Sequence, residues 1–276
     1  MLSNTVFLVT GANRGKFSNT LSPFSHHVNY PFIKREIGIG FGIVALLLLR
    51  PDTMVIVTVR SATTSTSELT SLPLGKGSNL IIAHLDISSS PSAIEASAKE
   101  LHDTLTTQFK ITHINTIIAN AGMSSFQPTI LTPLSSLTDN FNTNTLGPIA
   151  LFQALYPLLS APGNENPKFV VVSSALGSIS DMEGAVPTLA YGVSKAGVNY
   201  FVRKAHFECP EITVLAVHPG WVKTENGQNF ADCVGVKEPP MTLEDSVKSV
   251  LEQVDGATKS DTSGTFVSYD GTPIGW

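Results

Sequence analysis

The sequence predicts a doubly wound α/β fold, with a parallel sheet of about seven strands and helices on both of its faces. We take it as a single domain over residues 1–276. Three observations predict this. Short β-branched runs alternate with longer helical patterns, as βαβ crossovers require. Most of these runs are apolar nearly throughout and lack period-two alternation, so both of their faces are covered. With 276 residues, 42% hydrophobic and 14% charged, the chain can bury a core of that size.

In chain order, the strand candidates are residues 5–9, 53–59, 80–84, 116–119, 169–172, 213–217 and 265–268. The helix candidates are 42–49, 93–107, 134–159, 189–207 and 243–254. Thr242-Leu243-Glu244-Asp245 opens the last helix as a capping box. Residues 225–240, following the sixth strand, read as a loop covering a site at the strand carboxyl ends. Residues 16–38 do not fit the alternation: they hold Pro23, Pro31, several Ser and Asn and the pair His26-His27, with no usable period. They fall where a βα connection ordinarily takes about 2–6 residues.

Composition excludes several function classes. A net charge of −5 with no basic patch argues against a nucleic-acid partner. Cys209 and Cys233 share no metal spacing with a His pair, so no metal site is expected and both read as reduced thiols. The longest apolar run, residues 43–49, is far short of the ~20 residues of a membrane span. The first residues lack a secretory leader pattern, so a soluble cytoplasmic protein without a membrane partner is expected.

The first strand runs into Thr10-Gly11-Ala12-Asn13-Arg14-Gly15, a Gly-rich turn that lets the backbone approach a pyrophosphate. The pattern then breaks off and resumes at Ile39-Gly40-Phe41-Gly42; removing residues 16–38 restores a complete T-G-x-x-x-G-x-G fingerprint opening a helix. Gly15-Lys16-Phe17 can be encoded with a splice donor and Ile37-Gly38 with an acceptor in the same phase. We therefore read residues 16–38 as an insertion, a translated intron, with a genuine surface loop as the alternative. The second strand ends Val57-Thr58-Val59-Arg60 with no acid to hold ribose hydroxyls. Arg60 and Arg14 could face a 2′-phosphate instead, which favours NADP(H) over NAD(H).

Tyr191-Gly192-Val193-Ser194-Lys195 places a phenol and an ammonium at i and i+4 on one helix face. A free phenol titrates near 10, and a neighbouring cation is expected to lower that value so that the hydroxyl can exchange a proton with a carbonyl oxygen. Upstream, Val172-Ser173-Ser174 ends the fifth strand, where a hydroxyl could steady a developing oxyanion. Taken alone, each motif has a plain structural reading as a surface pair, a turn or a cap.

Together and in this order they resemble the short-chain dehydrogenase/reductase family, from Thr5 onward with residues 16–38 as the only interruption. The resemblance implies a Rossmann fold and a nicotinamide cofactor. It implies that Thr10, Gly11, Asn13, Arg14, Gly15, Ile39 and Gly40 cradle the cofactor phosphates. By the same carry-over Asp86 contacts the adenine and Asn120-Ala121-Gly122 flanks the ribose, while Pro219, Gly220, Val222 and Thr224 meet the nicotinamide end. It assigns Tyr191 as proton donor, Lys195 as its partner and ribose ligand, and Ser174 as the group that orients the carbonyl. Asn144 is assigned the anchor of a proton relay. Ser178 stands at the more usual spacing from Tyr191, but Ser174 is preferred because the strand end fixes it and residues 181–187 look like added loop. Within the family the chain is similar to fungal ketoreductases of the norsolorinic acid ketoreductase kind, notably in residues 173–178 and 271–276. That implies an aromatic or polyketide ketone as the small-molecule substrate. The family also implies a homodimer or homotetramer through the helices at 134–159 and 189–207. The expected activity is NADPH-dependent ketone reduction. Its rivals are an NAD-dependent alcohol dehydrogenase and, because the Gly loop is interrupted, a catalytically silent nucleotide-binding protein.

Overall fold

The computed structural model describes residues 5–13 and 37–276. Its strands are β1 (Thr5–Thr10), β2 (Thr53–Val59), β3 (Asn79–His84), β4 (Thr116–Ala119), β5 (Lys168–Val172), β6 (Thr213–His218) and β7 (Thr265–Ser268). They form one sheet in the order β3-β2-β1-β4-β5-β6-β7, and every neighbouring pair is parallel. The α-helices are α1 (Ile39–Leu48), α2 (Ser67–Thr70), α3 (Pro91–Asp103), α4 (Leu134–Phe141), α5 (Gly147–Leu159), α6 (Leu189–Glu208), α7 (Glu225–Cys233) and α8 (Leu243–Gly256). The doubly wound Rossmann-type sheet expected from the sequence is therefore present.

Its two cores follow from strand periodicity. In β1, Val6 and Leu8 point to one face and Phe7 and Val9 to the other. The first face packs Ile117, Phe169 and Val171 against Ile94 and Leu101 of α3, Leu151 and Leu155 of α5, and Val198 and Val202 of α6. The second packs Val55, Val57, Ile118 and Val170 against Phe41 and Leu47 of α1 and Val247 and Val250 of α8. A strand buried on both faces cannot alternate apolar with polar, hence the continuous runs.

Four boundaries depart from the sequence reading. The helix at 134–159 is two α-helices joined by a π-turn, Asn142–Leu146, because Gly147-Pro148 starts a new helix rather than continuing the old one. The helix at 93–107 is α3 followed by a second π-turn, Thr104–Gln108. The loop at 225–240 contains α7, capped where the Thr224 hydroxyl accepts from Gly227 N at 3.1 Å. The short α2 was not anticipated. The capping box at Thr242 is present, with Asp245 N donating to Thr242 Oγ1 at 3.1 Å.

Arg14, Gly15 and most of the insertion at 16–38 lie outside the described residues. Its last two members are described: Ile37 is 1% exposed in the α1 core, and Gly38 is the N-cap of α1. Among the described residues no helix is long and apolar enough to cross a membrane, and no group of three or more His, Cys, Asp or Glu could hold a metal. Both cysteines are free.

Candidate active site

Strand order reverses between β1 and β4, and a doubly wound sheet opens a crevice at such a switch point. A cleft of about 390 Å³ lies there, along the carboxyl ends of the strands. One half of it suits a nucleotide. Gly11 sits at φ +70°, where a side chain is strained, and a Cβ on it would lie 2.6 Å from Ala121 Cα. The Thr10 hydroxyl faces inward and accepts from Asn120 N at 3.1 Å and Ala121 N at 2.9 Å. Asn120 Nδ2 donates back to the carbonyls of Thr10 at 2.9 Å and Gly11 at 3.3 Å. These bonds lock the ends of β1 and β4 together. A Cβ on Gly40 would strike Asn120 Nδ2, which is why the first turn of α1 can approach this junction only as glycine. That turn carries the positive end of the helix dipole and holds no acidic residue. The cradle fits a pyrophosphate.

Arg14 and Gly15, which the sequence reading places in this turn, lie outside the described residues. Asn13 lines the cleft, and so do Ile37, Gly38 and Ile39 from beyond the insertion. The fold therefore sets Thr10-Gly11-Ala12-Asn13 against Ile37-Gly38-Ile39-Gly40, a second complete T-G-x-x-x-G-x-G pattern. Gly38 joins the described residues at this turn. Sequence reasoning left Gly38 out of the site, although Gly38-Ile39-Gly40 is itself a G-x-G.

Farther along this half, Arg60 lines the cleft past the end of β2, with Thr58 beside it. Asp86 follows β3 and also lines it. Its carboxylate accepts from Ser88 N at 2.8 Å, Ser88 Oγ at 2.6 Å and Ser89 Oγ at 2.9 Å. Burial works against its charge, but these bonds and the nearby Arg60 outweigh it and hold the carboxyl below its ordinary value. Ala121 and Gly122 continue the wall, and a Cβ on Gly122 would lie 3.8 Å from Lys195 Nζ.

The other half holds the candidate catalytic group. Ser174, Tyr191 and Lys195 all line it. Ser173 faces inward, donating to Asn199 Oδ1 at 2.6 Å, so Ser174 is the strand-end hydroxyl turned to the cleft. Ser178 is spent elsewhere, on Gly275 O at 2.7 Å. Tyr191 hydrogen-bonds Ser174. Lys195 is 4% exposed, donates to Val172 O at 2.8 Å and lies 5.7 Å from the centre of the Tyr191 ring. Asn144 does not line the cleft. Its Oδ1 accepts from Met123 N at 2.9 Å, and its Nδ2 donates to Met123 O at 2.8 Å and Ser194 Oγ at 2.9 Å. Ser194 Oγ in turn donates to Tyr191 O at 2.7 Å. A π-turn at Asn144 is in keeping with the association of such turns with functional sites.

Protonation differs from expectation. Lys195 was expected to lower the Tyr191 pKa. Burial instead pushes Tyr191 up to about 12, opposed by the Ser174 hydrogen bond, and burial pulls Lys195 down to about 8. The low-dielectric surroundings disfavour both charged forms.

Pro219, Gly220 and Val222 close the cleft floor after β6. Gly220 sits at φ +86°, and the buried Ser246 hydroxyl of α8 holds the turn through Pro219 O at 2.7 Å. Thr224 lines the cleft while capping α7. His218 lies beneath; burial pulls it down to about 4, against the opposing pull of Asp270, so it is neutral. Its buried Nδ1 has no hydrogen-bond partner among the described residues. Sequence reasoning missed an aromatic row over this half. Trp221 and Phe230 have ring centres 5.1 Å apart, Phe230 and Phe126 5.0 Å, and Phe126 and Tyr191 5.9 Å. Its members come from four separate chain segments, so no local pattern announced it.

Comparison with known proteins agrees with this architecture. The family model for short chain dehydrogenases matches residues 36–233. Norsolorinic acid ketoreductase of Dothistroma septosporum is 34% identical over 276 residues, covering 99% of this chain and 92% of that one. The norsolorinic acid ketoreductase of Aspergillus parasiticus is also 34% identical, covering 99% and 91%. Among solved structures, NADPH-bound carbonyl reductase from chicken fatty liver superimposes with a TM-score of 0.78 at 27% identity, with both chains fully covered. The chain belongs to the short-chain dehydrogenase family of oxidoreductases, whose members bind a nicotinamide cofactor.

Proposed function

We propose that this protein is an NADPH-dependent ketone reductase with Tyr191 as proton donor. The observation that carries the proposal is the grouping of Ser174, Tyr191 and Lys195 on one cleft, with Lys195 Nζ 5.7 Å from the centre of the Tyr191 ring. Burial keeps the phenol protonated throughout neutral pH, which is the form a carbonyl reduction consumes. The bound nicotinamide supplies the hydride. The Ser174 hydroxyl donates to the substrate carbonyl and fixes its angle. As the carbonyl carbon gains hydride, Tyr191 gives its proton to the oxygen and an alcohol results. Lys195, positively charged below about 8, offsets the phenolate left behind and holds the cofactor ribose. Asn144 anchors the relay through Ser194, which reaches the Tyr191 backbone.

Gly11, Asn13, Ile39 and Gly40 would hold the cofactor phosphates, joined by Gly38. Thr10 acts through the β1–β4 junction. Asp86, Asn120, Ala121 and Gly122 flank the nucleoside, and Pro219, Gly220, Val222 and Thr224 the nicotinamide end. Arg60 supports NADPH over NADH, since a planar guanidinium pairs well with a 2′-phosphate. The aromatic row, together with the names of the two fungal relatives, supports an aromatic polyketide ketone as substrate. The grouping of Ser174, Tyr191 and Lys195 on the cleft supports an enzyme over a catalytically silent nucleotide-binding protein.

Leu134 of α4 is 79% exposed, and Tyr200 and Phe207 of α6 are 73% and 63% exposed. The two helices pack together, and we assign this face to a homodimer or homotetramer, checked by light scattering. Two free thiols suit a reducing cytoplasm. We keep the interruption of the Gly turn as an insertion into one domain, its far boundary moved back before Ile37.

The deciding experiment follows NADPH oxidation with a bicyclic aryl ketone. Tyr191→Phe should lower kcat by roughly 10²–10⁴-fold and leave NADPH affinity unchanged. A variant that keeps its rate refutes Tyr191 as the acid.

A further inference from the structure

Ser174 and Tyr191 must meet, yet the chain between them wanders. It forms a 3-10 turn, Ala175–Gly177, then a loop, and returns at α6. The turn is pressed onto the helix that carries the other catalytic groups. A Cβ on Gly177 would lie 2.6 Å from Lys195 Cβ and 2.9 Å from its carbonyl carbon, and one on Gly192 would lie 2.9 Å from Leu176 O. The position of the turn therefore determines where Ser174 stands relative to Tyr191 and Lys195. What fixes the far end of the turn is not the sheet but residues distant in sequence. After β7 the chain turns at Gly271 (φ +82°) and folds back, with Val267 bridging Pro273 antiparallel and Ile274 N donating to Phe266 O at 2.8 Å. Its end then reaches the loop. Ile179 N and Ser180 N donate to Trp276 O at 3.2 and 3.0 Å. Ser178 Oγ donates to Gly275 O at 2.7 Å, and Gly275 N donates to Asp181 Oδ2 at 2.9 Å. The Trp276 ring stacks on Phe266 of β7, with centres 5.8 Å apart. Any Cβ at Gly275 would collide with Ser180 Oγ, so the approach is as close as backbone allows.

We propose that the segment from Gly271 to Trp276 is a clasp that positions Ser174 against Tyr191 and Lys195, and that Ser178 and Asp181 receive it. This rests on the reading of Ser174 and Tyr191 as the catalytic pair. It gives the added loop a purpose: the hydroxyl at the usual catalytic spacing, Ser178, holds the clasp and leaves the chemistry to Ser174. Ser178, Asp181, Gly275 and Trp276 do not line the cleft, so they act on turnover without touching the cofactor.

The test is Asp181→Ala, Ser178→Ala and their double variant, with Asp181→Asn as the conservative rescue. Asp181 is exposed, so its variants keep the core. Expected for the double variant is a kcat lower by roughly 10–100-fold at unchanged NADPH Kd, with faster backbone hydrogen exchange in residues 174–178. Asp181→Asn retains an oxygen for Gly275 N and should restore most of the loss seen in Asp181→Ala. Exchange that does not rise overturns the clasp, whatever the catalysis. Exchange that rises while kcat stays within two-fold overturns its positioning role. If the parent protein reduces no ketone but exchange rises when the clasp is cut, the clasp stands and the reductase reading fails.

Discussion

Gly38→Val separates the two candidate glycine turns. Gly38 has φ −91° and ψ 165°, extended backbone that a β-branched residue adopts without strain. The substitution therefore leaves folding nearly unchanged, and its effect is confined to the cleft that Gly38 lines. There, three added carbon atoms stand where a pyrophosphate must approach the first turn of α1. A hydrogen bond to a charged group is worth about 1.5–3 kcal/mol, so displacing one contact weakens binding by roughly 10–100-fold. Gly15→Val, by contrast, should change affinity by less than about two-fold, or ~0.4 kcal/mol. The assay is a fluorescence titration of NADPH into the parent chain and both variants, with thermal unfolding as the control for folding. If Gly15→Val weakens binding as much as Gly38→Val or more, the turn runs through Gly15 and the placement of Ile37-Gly38 in the nucleotide site is wrong.

Three other outcomes follow from the geometry. Arg60→Ala should weaken NADPH by about tenfold while leaving NADH within two-fold, since only the phosphate ester meets the guanidinium; equal losses for both would remove Arg60 from cofactor choice. The rate of reduction should hold through neutral pH and fall as pH rises through about 8, where Lys195 loses its proton, because Tyr191 stays protonated up to about 12. Lys195→Arg should move that alkaline limb upward, and a limb that stays in place would assign it to another group. Phe169→Ala should cost about 3–5 kcal/mol and lower Tm by several degrees: its ring, on the strand leading to Ser174, is fully buried and lies edge-on to Phe152 at 5.0 Å. A Tm within a degree of the parent would contradict that packing.

The sheet was legible because its strands are buried on both faces, and continuous apolar runs such as residues 53–59 leave little choice of element. The candidate catalytic group was legible because i, i+4 spacing is a local property of a helix, and Ser174, Tyr191 and Lys195 do line one cleft. What escaped were features made by contacts across the fold. Asn142–Leu146 becomes a π-turn between two helices, where apolar period alone read one continuous helix. Trp221, Phe230, Phe126 and Tyr191 meet only when four separate segments are folded together. Gly38 escaped for a different reason: it falls within the segment read as an insertion, and only the fold sets it beside Gly11 and Asn13 on the cleft.

The protonation of the site bears on the direction of the reaction. An alcohol oxidation needs Tyr191 to begin as phenolate, and with its pKa near 12 that form is scarce at neutral pH. A carbonyl reduction begins from the phenol, which burial supplies in full. Burial also weakens Lys195 as a permanent cation, so the charge that helps the proton leave is itself conditional on pH. The Ser174 hydrogen bond opposes burial by lowering the Tyr191 pKa, and thereby eases proton release once a carbonyl is held between the two hydroxyls. The same apolar enclosure that disfavours phenolate also suits a flat, weakly polar substrate lying against Phe126 and Phe230. The proposed reduction of an aryl ketone thus has two supports, the protonation state of Tyr191 and the aromatic surface beside it.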